Sequence, residues 1–258
     1  MKLPRRRRLL LGVAIVVPLI AVGAIGAAIA GGWLLNDTTS PTSIQDVLER
    51  FHEGERGTGG VDGVYLYTTR GDESIDAIGG AHHRYPKTSS ITVVTEPCGM
   101  RLLWEPLEER SATWTLCATQ RGIELAGWKV VHEFFGQRDS TTYACTESVL
   151  VPVEQPPGAT STFRCSSESG SQTGETRLIG VEELIVAGKR LRAVHVRTVG
   201  RVSGGDEGTE TTDWWVDERS GLPLRITLSS RTSRSILIGN VHYREDADLR
   251  LRSTTPLR

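Results

Sequence analysis

Residues 9–35 hold no ionisable side chain over 27 consecutive positions, and they directly follow Lys2, Arg5, Arg6, Arg7 and Arg8. A helix crossing a bilayer core needs about 20 mainly apolar residues, whereas the apolar region of a signal peptide spans about 7–15. The run therefore predicts a transmembrane helix. The positive-inside bias puts the basic tip, residues 1–8, in the cytoplasm and residues 36–258 on the exported side. Pro18 and the glycines of the run are tolerated in a membrane span. Ala28-Ile29-Ala30 has the small-x-small form of a signal-peptidase site, and cleavage there would export the same domain. The expected localisation is the cell membrane, single-pass, with residues 36–42 as a short stalk and 43–258 as a disulfide-containing β-rich domain.

Charge narrows the partners. Outside the basic tip, 25 Lys or Arg face 31 Asp or Glu, an acidic excess that argues against a nucleic-acid partner. The membrane, a lipid or other amphiphile, and an envelope protein remain the candidate partners. All four cysteines, Cys98, Cys117, Cys145 and Cys165, lie in the exported part, which predicts disulfides in an oxidising compartment. Three pairings are possible, and the neighbouring pairs are the simplest for successive antiparallel strands. Close Cys-x-x-Cys pairs are absent, so a structural zinc site has no spacing to support it.

Ser43 can cap a helix whose apolar face is Ile44, Val47, Leu48 and Phe51, with Asp46 at the third position and a Gly-rich end over residues 54–60. This helix is expected to pack on a sheet. Beyond residue 60 the period changes to two, the signature of strands. Candidates are residues 74–78, 90–95, 100–104, 113–118, 123–134, 148–153 and 160–165, few longer than eight, with residues 166–173 read as a loop. Farther on come a hairpin of 182–186 and 191–202 about Ala187-Gly188-Lys189, a strand over 211–217, and the clearest alternation of the chain, Leu222, Leu224, Ile226 and Leu228. Strands over 235–240 and 241–245 complete the pass. The fold class is mainly β (α+β): a curved antiparallel sheet or open half-barrel covered by a helix, with a β-sandwich as runner-up.

Asp213-Trp214-Trp215-Val216-Asp217 followed by Ser220-Gly221-Leu222-Pro223 resembles the strand-turn-strand of the open β-barrel carriers of lipoproteins and lipids in bacterial envelopes. This match covers about residues 180–245. Gly79-Gly80, His82, Arg84-Tyr85-Pro86, Cys98-Gly99 and the tail from His242 to Arg252 are similar to an uncharacterised group of actinobacterial single-pass membrane proteins, across most of 43–258. The resemblances imply a fold and an envelope setting, and no activity.

His82 and His83, with His195 or His242, are the residues that could gather a metal. Adjacent strand residues point to opposite faces, so no metal is expected. Glu105, Glu108, Glu109, Asp213 and Asp217 lack the signal of a sugar cleft, and no nucleophile elbow, Walker loop or dinucleotide fingerprint occurs. No cofactor and no catalytic residue is expected. Trp104, Trp114, Trp214 and Trp215 support the sheet, with Trp214 and Trp215 on opposite sides. The functional expectation is a non-catalytic, membrane-tethered binding protein for an amphiphile. Trp215 and the Leu222, Leu224, Ile226, Leu228 row would supply apolar contact, with Arg197 or Arg225 for an anionic head group. The alternatives are a structural or protein-interaction domain and an envelope hydrolase with an unrecognised site.

Overall fold

The computed structural model of the protein describes residues 37–54, 60–236 and 239–257; the expected span over 9–35 lies outside them. From Asp37 onward the chain forms one unit. Helix α1 is Ile44–Glu53, with a 3-10 turn at Ala77–Gly79. The first seven strands are β1 Gly63–Ile75, β2 Ala81–Arg84, β3 Thr88–Glu96, β4 Gly99–Leu107, β5 Arg110–Thr119, β6 Gly122–Phe134 and β7 Gln137–Thr146. The remainder are β8 Val149–Pro152, β9 Thr160–Ser166, β10 Gly170–Val186, β11 Lys189–Gly204, β12 Glu207–Asp217, β13 Pro223–Ile236 and β14 Gly239–Leu251.

Every ladder is antiparallel, and the sheet closes on itself. The order runs from β14 down to β9, then β7, β6, β5, β4, β3 and β1, while β1 also pairs β14; β2 extends from β1 and β8 from β6. The closing ladder runs from Tyr67↔Leu251 to Ile75↔Tyr243. This corrects the expected open half-barrel. Strand twist carried across so many strands brings the first and last together, and closure removes two exposed edges. Gly71 stands in the closing ladder with φ +137°, where a Cβ would lie 2.0 Å from the Asp246 carbonyl oxygen. The close approach of the two strands needs glycine there.

The inside of the ring is the core. Tyr65, Tyr67, Ile91, Leu102, Trp104, Trp114, Trp214, Leu224, Ile226 and Leu249 pack into one cluster, each on the inward register of its strand. Helix α1 does not cover this face, another correction: Val47 and Phe51 pack with Val64 and Val94 in a separate cluster. Val64 and Val94 alternate with the inward Tyr65 and Val93, so the helix lies on the outer face of β1 and β3. The Ser43 hydroxyl accepts from the Asp46 amide, the expected cap.

Several strands are longer than the alternation suggested, β10 reaching 17 residues and absorbing part of the expected loop at 166–173. Strand β7 was not legible at all, because its side chains are mostly exposed and polar. The expected strand over 235–240 falls on the end of β13 at Ile236 and the start of β14 at Gly239, and its residues 237–238 lie outside the described ones. The cysteines form the two neighbouring pairs, Cys98 with Cys117 and Cys145 with Cys165. The second bond spans the slightest junction of the ring, where β7 and β9 pair only from Ala144↔Ser166 to Thr146↔Arg164.

Candidate functional site

A row of polar residues crosses the interior at the end opposite the aliphatic core. Cross-strand partners run His83, Glu73, Glu245, Ser230, Glu210, Gly200 and Gly174 across β2, β1, β14, β13, β12, β11 and β10. These residues continue the inward register of their strands. Beyond Tyr65 and Tyr67 on β1, that register reaches Glu73. Back from Leu249 and Ala247 on β14, it reaches Glu245.

Glu73 is 0% exposed, His83 1%, Arg110 3% and Glu245 5%, so charge here has to be matched within the protein. Arg110, at the start of β5, donates from Nη2 to both Glu245 carboxylate oxygens at 2.9 and 3.0 Å, and from Nε at 3.2 Å. Its Nη1 donates to the Ser111 carbonyl. Burial would lower the arginine pKa, but the Glu245 charge and its neighbours hold it well above the ordinary value. Tyr85 donates to Glu245 Oε1 at 2.6 Å, and Tyr243 lies 2.9 Å from Glu73 Oε2 and 3.0 Å from Glu245 Oε2. Burial first, then the nearby carboxylates, raises both phenols, which keeps them as donors.

His83 bridges two carboxylates: Nδ1 is 2.9 Å from Glu73 Oε1 and Nε2 is 2.6 Å from Asp37 Oδ2. Two ionised acceptors require N–H on both ring nitrogens, the imidazolium form. Burial opposes this, but the bonds to Glu73 and Asp37 outweigh it and the pKa is raised. Burial likewise favours the neutral form of Glu73, yet bonds from His132 and His83 and the Arg110 charge hold it well below the ordinary carboxylate range. Asp37 Oδ1 also accepts from the Phe135 amide, and the Ser40 amide donates to Glu109. The segment expected as a stalk is thus tied to the domain over these residues.

His132 Nδ1 lies 2.8 Å from Glu73 Oε2, and its ring borders a partly open interior cavity of about 100 Å³. The cavity is amphipathic. Its apolar wall includes Trp114, Leu125, Trp128, Leu150, Trp214 and Leu228, and its polar end includes Arg110, Gln172, Glu210, Ser230, Tyr243 and Glu245. Gln172 Nε2 reaches Glu210 Oε2 at 2.5 Å, and Ser230 Oγ donates to Glu210 Oε1 at 3.2 Å. The Gln172 side chain passes over Gly200, where a Cβ would sit 2.8 Å from its Nε2. Burial first, then the Glu245 charge, raises the Glu210 pKa.

The residues expected to bind ligand divide between the two faces. Leu228 lines the cavity, while Leu222, Leu224 and Ile226 are buried in the core beside it. Trp214 lies edge-on to Trp114 inside, at 5.4 Å between ring centroids. Trp215, next along the strand, turns outward to stack on His195 at 4.1 Å, with the Arg225 guanidinium 4.5 Å over its ring. Arg225 pairs Asp248, and Arg197 pairs Asp213, which also meets His195 Nε2 at 2.8 Å. Glu182 receives the Trp215 indole N–H and meets His195 Nδ1. This outer cluster has its hydrogen bonds internally satisfied.

Of the histidines weighed as metal ligands, His82 and His242 engage different carboxylates, Asp72 and Asp76. Glu105 pairs Arg50 on α1, and Asp217 closes the turn at Ser220. Glu108 holds the same segment through its amide, which donates to the Ser40 carbonyl. Among the described residues no His, Cys, Asp or Glu group is arranged to hold a metal. The sequence signal for the inner site was present: a charged residue at the core-facing position of a strand that is apolar farther along.

No protein-family model and no curated protein matches the chain, so the likeness to an actinobacterial group gains no support. Among solved structures the chain is distantly similar to the hypothetical lipoprotein YmcC from Escherichia coli K12. Identity is 13% and the TM-score 0.33, over 81% of this chain and 97% of that one.

Proposed function

We propose that this protein binds an amphiphilic molecule of the cell envelope inside its closed sheet, without covalent chemistry. The observation that carries the reading is the amphipathic cavity: indoles and leucines form one wall, and a hydrogen-bonding, charged layer forms the other end. The two disulfides support an oxidising, extracytoplasmic setting for the folded part. A span over 9–35 would hold the domain beside the bilayer and raise the local concentration of a weakly held lipid. A cavity near 100 Å³ takes the polar end of an amphiphile and its first carbons. A whole acyl chain would need the walls to move. Of the residues expected from the sequence, Leu228 would touch the ligand, while Leu222, Leu224 and Ile226 would back the wall. Trp215, Arg197 and Arg225 would contact only a molecule bound outside.

The test is to isolate the full-length protein from its native membrane and identify retained lipids by mass spectrometry. Thr212, which lines the cavity, is replaced by Trp in a parallel preparation to fill it. An amphiphile held by the native protein and lost from a folded T212W variant is the expected result. Equal retention by both, or none by the native protein, overturns the reading. A protein captured in fixed ratio without lipid would favour an envelope interaction domain, for which Ile179, Val181 and Ile185 on β10 and Val199 on β11 are among the exposed apolar residues.

A further inference from the structure

We propose, resting on the amphiphile reading, that the polar group of the ligand is an organic cation of the ammonium class, with Glu210 as its counter-charge and the cavity's indoles as its walls. Glu210 borders the cavity and its carboxylate meets only neutral donors, Gln172 and Ser230; among the described residues no cation pairs with it. The arginine in the lining, Arg110, is directed to Glu245 and the Ser111 carbonyl. The polar end therefore carries Glu210 and Glu245 against two basic side chains, Arg110 and His132, the first committed to Glu245 and the second bonded to Glu73. An anionic head group would meet these carboxylates with no arginine available to it. A cation would satisfy Glu210.

The aromatic lining favours the same class. Trp114, Trp128, Trp214, Phe163 and Tyr243 all border the cavity. Aromatic faces attract a cation more than a neutral group of the same shape, most strongly when water is excluded. A carboxylate set among indoles is the arrangement that distinguishes an ammonium from its uncharged isostere. Gly200, the ladder partner of Glu210, lets Gln172 lie flat along the wall. The Glu210 carboxyl group is thereby held in place by two neutral donors.

Two small probes test this on the full chain in lipid nanodiscs: choline, and 3,3-dimethyl-1-butanol, its neutral isostere. Tryptophan fluorescence and calorimetry read binding. The expected result is choline binding at least tenfold tighter than the isostere, with the difference abolished in Glu210→Gln. Equal affinity for the two probes on the native protein overturns the proposal, and that comparison does not depend on the variant folding. Where E210Q folds, an unchanged preference for choline also overturns the role of Glu210. If neither probe binds and the retained native amphiphile has no cationic group, the ammonium proposal fails while the amphiphile reading stands. If neither probe binds and no amphiphile is retained, both fail.

Discussion

Arg110 occupies a position where the inward register of β5 continues as Ala112, Trp114 and Leu116. Its charge is tolerated because Glu245 takes it through paired hydrogen bonds, with Glu73 at 3.6 Å. Removing one member leaves the others buried without a counter-charge. Arg110→Met is expected to cost about 3–5 kcal/mol in urea unfolding, and the double change with Glu245→Leu to restore part of that. His83 and Glu73 set a pH window. His83 is raised in the folded state, so its contribution is complete below the ordinary imidazole value, about 6.5, and disappears as pH rises through the raised value. Glu73 is lowered, so its contribution is present above the ordinary glutamate value, about 4.3, and disappears as pH falls. Urea midpoints measured from pH 3 to 9 should peak between those values. His83→Gln should flatten the alkaline decline; a decline of unchanged depth would show that His83 is not its source. His83 drew notice in the sequence as one of a histidine pair, but parity separates the two. His82 stays outside, and His83 joins carboxylates from residues 37 and 73.

Strand β7 has Tyr143 as its one buried residue and no apolar row for a two-residue period to reveal. It exists because β6 offers a free edge from Phe134↔Gln137 to Gly127↔Ala144. Its other edge meets β9 over a short ladder centred on Cys145↔Cys165. That bond staples the ring where the backbone does least. Replacing both cysteines with Ala should cost about 3 kcal/mol, the scale for a closed loop of this size. Hydrogen exchange should accelerate first at the Ala144 and Thr146 amides. Loss of Cys98 with Cys117 should leave those amides protected, because that bond lies against the β4–β5 ladder from Gly99↔Cys117 to Leu107↔Arg110. Equal acceleration in both variants would contradict the staple.

Closure joins the first long strand to the last, so the described part is expected to unfold as one cooperative unit. Deleting residues 239–258 removes β14, which supplies Glu245 and Tyr243 to the interior layer as well as the partner of β1. The shortened chain should lose cooperative unfolding in calorimetry instead of melting at a slightly lower temperature. A sharp transition of near-native enthalpy would mean that the open sheet is stable alone. The helix plays a lesser part: α1 covers Val64 and Val94 from outside and leaves the cavity untouched.

Local chemistry was sufficient for the capped helix at Ser43, the alternation of Leu222 to Leu228, the turn at Ala187-Gly188 and the even cysteine count, since each depends on residues a few positions apart. Parity on single strands also separated Trp214 from Trp215. The tertiary structure alone decided that the sheet closes, that α1 lies outside it, and that a cavity with one polar end forms in the interior. Glu73 and Glu245 are 172 residues apart in sequence yet are direct ladder partners. Arg110 reaches Glu245 across 135 residues. A charged residue in an inward register looks like an interruption of one strand, and only the register of distant strands turns several such interruptions into a single paired layer.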